Sequence, residues 1–296
     1  MSGSLTGAPG EVRHGSWSGI GSVSPGALHE AALELHRAVQ LIASAGRTFV
    51  EPRADHSHMA MAWHEPRRSF VGAPFTGAYP FRVALRPMDL TLQLLDRTDQ
   101  PLGSLPLAGH AGDEAYSWLS LGLATYMGGP PPVLTRPDYD MPPHPVAAGE
   151  PFSGAREAER AALAALYGGA AGLLSELAGA RTDASAVVCW PHHFEIATLI
   201  RLDGEPAAED ARTIGVGMAP FGAGGSGWYW YVTPWPYPEA SSLPALDAPG
   251  AWHVEGWTGA ELGGDEVVAT PPSERRQLVR DFIDRAIAAC VTVLSG

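Results

Sequence analysis

No lysine and no asparagine occur in the 296 residues, so all 19 basic side chains are arginine. A GC-rich coding sequence, poor in the codons of both residues, accounts for the two absences together. The missing amine removes whole chemistries. A Schiff-base lysine, a pyridoxal-phosphate anchor, the lysine of a phosphate-binding loop and the strand lysine of a kinase are all impossible. Cysteine is scarce: Cys189 and Cys290 lie far apart, each in an apolar run, the pattern of buried reduced thiols in a cytosolic protein. Long apolar runs are missing too. No stretch approaches the ~20 uninterrupted apolar residues of a spanning helix, and residues 1–23 carry no apolar signal core. A soluble cytoplasmic protein is expected. The net charge of -13 argues against nucleic acid, which needs clustered cations. Neither a nucleic-acid nor a membrane partner is expected, and oligomeric state is left open.

Two further motifs are absent. No Gly-x-Ser-x-Gly elbow occurs. No glycine-rich dinucleotide fingerprint follows a strand: Gly222-Ala223-Gly224-Gly225-Ser226-Gly227 runs instead into the strand-like Trp228-Tyr229-Trp230-Tyr231 and reads as a loop.

What is present supports a sizeable core, with 45% hydrophobic residues against 17% charged. Residues 1–24 read as a disordered arm. A helix is predicted over 25–45, with Leu28, Ala31, Ala32, Leu35, Val39 and Ile42 on one stripe, Ser24 before Pro25 at its start and Gly46 closing it. Strands follow at 58–63, 81–85, 90–95 and 103–107, then a helix at 113–126. Residues 128–153 are dense in proline and read as an extended connector. The order then repeats: a helix at 154–178, strands at 186–190, 194–201, 214–219 and 228–233, and a final helix at 273–294. Val279, Phe282, Ile283, Ala286, Ile287 and Cys290 stripe that last helix. The expected fold is α+β, with two similar helix–strands–helix halves (25–127 and 154–296) from an internal duplication. Its sheet is mostly antiparallel, continuous or facing between the halves, with helices on one face and a cleft between the halves.

The run Trp190-Pro191-His192-His193-Phe194-Glu195-Ile196-Ala197 puts two imidazoles and a carboxylate inside an apolar, strand-like segment. Alternation would send His193 and Glu195 to one face, and Trp190, His192, Phe194 and Ile196 to the other. Ionisable groups in such a run cost free energy unless paired, liganded or used. In the first half, His56 and His58 would share a strand face in Asp55-His56-Ser57-His58. Two such pairs, one from each half, can meet as a His56, His58, His193, Glu195 site for Zn²⁺ or Fe²⁺; the bland alternative has these histidines bonding backbone carbonyls. Without a metal, and hence with no cofactor, His193 or His192 beside Glu195, Asp55 or Asp89 can act as general acid and base. Cys189 is a poor nucleophile, because its apolar run raises its pKa.

Trp228-Tyr229-Trp230-Tyr231, with Trp235, Tyr237, Trp252 and Trp257, puts large rings on both faces of a strand. They form either a core strand covered on its outer face or a stacking wall for a flat small molecule. Arg67-Arg68 and Arg275-Arg276 read as solvated faces, though the first pair can hold a carboxylate.

Several stretches resemble a bacterial domain-of-unknown-function family, number 5996. They are Leu35-His36-Arg37 to Gly46-Arg47, Phe81 to Leu92 with Asp89, Phe194-Glu195-Ile196-Ala197, Tyr237-Pro238-Glu239, and Gly259-Ala260-Glu261-Leu262-Gly263 running into the last helix. The resemblance covers roughly residues 25–293, and Pro191-His192-His193 departs from it where that family more often carries a Trp-Gly-Ser type run. It implies a bacterial cytosolic protein and supplies no activity.

The functional expectation is a small-molecule enzyme using His/carboxylate acid–base chemistry, in an isomerisation, cyclisation or elimination without a nucleotide cofactor. His193 serves as acid or base, Glu195 as its partner, and His192 as a further candidate. His58 is an opposing polar group. Trp190, Phe194, Trp228, Tyr229, Trp230 and Tyr231 contact the substrate. The rivals are a ligand-binding or scaffold protein without turnover, and the metal-dependent enzyme.

Overall fold

Among the described residues one eleven-stranded sheet runs through both halves, and they meet at its centre, where the strand Val188–Trp190 lies beside Met61–His64. The structure, a computed structural model, describes residues 14–75, 80–203, 211–222 and 227–295. The first half runs α1 (His29–Phe49), β1 (Met61–His64), β2 (Ser69–Gly72), β3 (Phe81–Arg86), β4 (Thr91–Asp96), β5 (Pro101–Pro106) and α2 (Gly112–Met127). The second runs α3 (Glu157–Gly179), β6 (Val188–Trp190), β7 (Glu195–Arg201), β8 (Thr213–Ala219), β9 (Tyr229–Trp235), β10 (Ala251–His253), β11 (Gly259–Gly263), α4 (Gly264–Ala269) and α5 (Arg275–Ser295). The strand order is β10-β11-β9-β8-β7-β6-β1-β2-β3-β4-β5, antiparallel at every pairing. Met61 opposite Cys189 joins β1 to β6. The fold is thus α+β with a continuous sheet.

The pleat sorts the second half's side chains. Ile196 and Ile200 of β7, Ile214, Val216 and Met218 of β8, and Trp230 and Val232 of β9 enter one core cluster with residues of α1, α3 and α5. Ala197, Ala219 and Tyr231, one position out of phase, form a separate cluster with Trp190, Tyr229 and Trp257 against it.

Helix α1 is buried nearly all round, including Glu34, His36, Gln40 and Ser44. The proline-rich segment 128–153 makes this possible by running over it with backbone donors and acceptors to spare. Thr48 Oγ1 accepts from Thr135 N (2.9 Å), Arg37 donates to the Pro142 carbonyl, and Arg47 grips Asp138 through both nitrogens at 2.5 and 2.7 Å. Ser153 N donates to Glu34 Oε1 at 2.5 Å, while Arg160 of α3 faces the same carboxylate at 3.6 Å.

Several expectations are corrected. Residues 1–13 of the expected loose arm lie outside the described residues, but the rest of the arm is docked. Trp17 stacks on Trp230 at 6.3 Å and 10°, and Arg275 donates to the Ile20 carbonyl. Arg275 is therefore buried, not a solvated face, and it also caps the end of α4 through Val268 and Thr270. Arg67 is likewise engaged, donating to Asp99 O and to Gln93 Oε1. Strands β2, β10 and β11 were not expected; β2 is buried at all four positions and shows no alternation, and β10 is only three residues long. Helix α3 does have the length and hydropathy to cross a membrane (mean hydropathy 1.4 over its best window), against the reading that no segment does; 72% of that window is buried inside the fold.

Gly46 does not end α1, which continues to Phe49. Its role is contact: a Cβ there would lie 2.5 Å from the His58 carbonyl oxygen. In an exposed helix, Gly→Ala stabilises by about 1 kcal/mol. Here Gly46→Ala is expected to destabilise by about 1–3 kcal/mol through overpacking against backbone. A melting temperature equal to or above that of the parent would refute this contact.

Candidate functional site

Trp190 pairs with Glu195 at the end of the β6–β7 hairpin, and Pro191–Phe194 form the turn between them. The turn replaces the strand alternation expected across this run. Phe194 takes a left-handed backbone (φ 55°), which costs a non-glycine residue roughly 1–2 kcal/mol. Its ring offsets that cost by full burial, stacked on His36 at 5.7 Å and 4° and packed against Phe70 and Tyr167.

Three buried side chains hold the turn's outer carbonyls. His36 Nε2 and Gln40 Nε2 both reach Pro191 O at 2.9 Å, and the Tyr167 hydroxyl donates to Phe194 O. A carbonyl can only accept, so the His36 proton sits on Nε2. The Gln40 amide oxygen in turn accepts from Tyr139 of the connector at 2.5 Å. His192 and His193 project from between the two fixed carbonyls. His193, largely exposed, places Nδ1 3.6 Å from Glu195 Oε1. His192 is half-buried, its ring edge-on to Tyr139 (5.9 Å) and Trp190 (6.1 Å).

The first-half histidines do not lie on a strand. His56 has left-handed backbone (φ 58°) and His58 sits in a tight turn, Ser57–Met59, ahead of β1. Their rings are 6.1 Å apart. Asp55 caps this turn by accepting from Ser57 N (3.0 Å), and His58 Nδ1 accepts from Arg53 N (3.2 Å), which leaves Nε2 as the protonated nitrogen of neutral His58.

These pieces enclose a cavity of about 920 Å³. His56 and His58 come from the first half, Trp190, His192 and Glu195 from the second, and Tyr139 from the connector; the Arg47–Asp138 pair also lines it. His193 faces a second cavity of about 580 Å³, with His29, His36, Phe221 and Tyr229. His192 and Glu195 line both.

Electrostatics differ between the imidazoles. Burial pushes His36 down to about 4 and lowers His58. Burial, then the neighbouring His193, lowers His192. The Glu195 carboxylate raises His193. Burial, then the charge of Glu195, raises the Tyr231 hydroxyl, which bonds that carboxylate from across the sheet. The Cys189 thiol is pushed well up by burial.

Other expected site residues fall elsewhere. Trp230 packs in the core on Trp17, and Trp228 lies against Gly264, where a Cβ would meet its ring at 2.8 Å; neither lines a cavity above. Phe194 is core, Tyr229 lines the second cavity, and Tyr231 supports Glu195 from below. Asp89 pairs with Arg86 at the β3–β4 turn. The His56, His58, His193, Glu195 metal set is not assembled. Among the described residues, His192 joins His193 and Glu195 instead, with ligand atoms all within 4.8 Å of one another. Sequence reasoning missed His36, Gln40, Tyr139 and Tyr167. The i, i+4 spacing of His36 and Gln40 on an otherwise apolar stretch was the available signal. The chain matches no family model, no curated protein and no solved structure.

Two outcomes are expected. His36 stays neutral in the fold down to about pH 4, whereas it protonates near 6.5 in the unfolded chain. Its contribution to stability is therefore full above pH 6.5 and drains by about 3 kcal/mol as pH falls to 4. His36→Gln should flatten denaturant-measured stability across that window relative to the parent; parallel curves would refute it. Tyr167→Phe leaves a buried Phe194 carbonyl unpaired and should cost about 1–3 kcal/mol, read as a lower denaturant midpoint at unchanged m.

Proposed function

We propose that this protein is a cytoplasmic enzyme that binds a small organic molecule in the larger cavity and performs acid–base chemistry on it. The observation that carries this reading is the convergence of imidazoles from both halves, His56 and His58 with His192, on one cavity that also holds Glu195. The reaction class is an isomerisation, cyclisation or elimination needing no nucleotide cofactor. Glu195, which borders the larger cavity and carries His193 beside it on the second, handles the proton. His58 faces it as a hydrogen-bond donor through Nε2. Trp190 and Tyr139 supply flat apolar walls.

The same reading treats the halves as one repeated unit with its helices on a common face. The supports are the central β1–β6 pairing, with β1–β5 to one side and β6–β11 to the other, and the helix that opens and closes each half. The stretches that resemble domain-of-unknown-function family 5996 include both His36 and Phe194-Glu195, the two sides of the turn clamp.

Proton abstraction can be read without knowing the natural substrate. Small aromatic acids, amines and ketones would be screened against the full chain by ligand-observed NMR, and hits incubated in D2O. The expected result is binding weakened about 10-fold or more in Trp190→Ala, a loss of about 1.4 kcal/mol. Deuterium should enter a carbon of the bound molecule with the parent and with His110→Ala, a histidine that pairs with Glu114 at the start of α2 and lines neither cavity, but not with Glu195→Gln. Tight binding with no exchange and no product would replace the enzyme by a ligand-binding protein.

A further inference from the structure

We propose that His192, His193 and Glu195 bind a divalent transition-metal ion of the zinc or ferrous class at the tip of the β6–β7 hairpin. The inference deepens the acid–base reading and rests on it for the location of the chemistry. Its ligand set is its own.

The geometry is close to what such an ion needs. His193 Nδ1 and Glu195 Oε1 are 3.6 Å apart, beyond a good hydrogen bond. That gap is close to the separation of roughly 3.3 Å between two ligands of a tetrahedral zinc ion at about 2.0–2.1 Å from each. The His192 and His193 ring centroids are 4.3 Å apart and tilted by 49°, and a nitrogen of His192 completes a set in which every ligand atom lies within 4.8 Å of the others. Closing the remainder takes side-chain rotation only, and His193 is 69% exposed and free to make it.

The surroundings are organised as ligand sites are. The turn that carries both histidines is fixed at its outer carbonyls by His36, Gln40 and Tyr167, so little backbone freedom is lost on binding. Tyr231 bonds the Glu195 carboxylate from the sheet side, and a ring added at that position is accommodated because Gly217 has no Cβ; one there would meet the Tyr231 hydroxyl at 2.6 Å. A supporting hydrogen bond of this kind orients a ligating carboxylate. Two imidazoles and a carboxylate suit Zn²⁺ and Fe²⁺ better than Ca²⁺ or Mg²⁺. Three protein ligands also leave a coordination position open, the pattern of catalytic rather than structural sites. His192 and Glu195 border the larger cavity, so the open position and the substrate space adjoin. With an ion bound, His192, His193 and Glu195 would be ligands, and the ion would supply a water at the open position that ionises nearer neutral pH, so that the resulting hydroxide could take the substrate's proton.

The test is titration of the chelator-treated full chain with Zn²⁺ by calorimetry and with Co²⁺ by visible absorption. One ion per chain at micromolar affinity or better is expected, with the strong absorption of four- or five-coordinate Co²⁺. His193→Ala and Glu195→Gln should each weaken binding by about 10-fold or more, and Tyr231→Phe by on the order of 10-fold; His110→Ala should bind as the parent does. His193 is exposed at a turn, so its variant is expected to fold and to keep its melting temperature. No saturable binding below millimolar metal, or equal binding by the parent and both ligand variants, overturns the inference. Deuterium exchange by a protein that binds no metal sinks the metal site alone and leaves the acid–base reading standing. Metal binding without exchange on any ligand does the reverse.

Discussion

Two backbone carbonyls at one hairpin turn, Pro191 O and Phe194 O, organise the region where chemistry is possible. Each is buried, and each would cost on the order of 1–3 kcal/mol if left unpaired. His36 and Gln40 of α1 serve the first and Tyr167 of α3 serves the second. The turn is thereby bolted to the first helix of each half. This same fixation makes a left-handed Phe194 tolerable and holds the two histidines out of the core. Losing either anchor would free the turn and the site together.

Helix α1 bears the cost of serving that turn. A helix carrying Glu34, His36, Gln40 and Ser44 in its buried surface needs partners for all four. The proline-rich connector supplies several. Its many prolines disfavour α-helix and central strand, and apart from a short helical turn at Pro145–Ala148 its backbone groups remain available to side chains. Tyr139 closes the chain from connector to Gln40 to the Pro191 carbonyl. Tyr139 also forms a wall of the larger cavity, so the covering of a polar helix and the shape of the cavity come from one segment.

The sheet decides what can converge. Because β1 and β6 are neighbours, the turn that precedes β1 and the turn that follows β6 lie at the same end of adjacent antiparallel strands. His56 and His58 arrive on one, His192 and His193 on the other, though 134 positions separate His58 from His192 in the chain numbering. Gly46 lets the His58 backbone approach α1 closely enough to reach this place. Trp228 and Trp230, the most conspicuous aromatics of the sequence, are spent on the core instead, where Trp230 anchors the docked N-terminal turn through Trp17.

The sequence by itself determined the periodic elements: α2, α3 and α5, strands β3, β4, β7 and β8, and the connector's irregular course. In these the spacing of apolar residues reports directly which side must be buried. It also singled out His58, His192 and Glu195, because charged and imidazole groups among apolar neighbours are expensive wherever the chain goes. Only the tertiary structure decided that Pro191–Phe194 form a turn, that Arg275 is buried and that β2 and β10 are strands. The partners that stabilise those choices lie on other elements: Tyr167 on α3, the Ile20 carbonyl on the N-terminal turn, β11 beside β10 and β3 beside β2. Local pattern measures what a segment needs to bury, whereas hydrogen-bond satisfaction depends on which distant groups arrive, and no spacing along one segment encodes that.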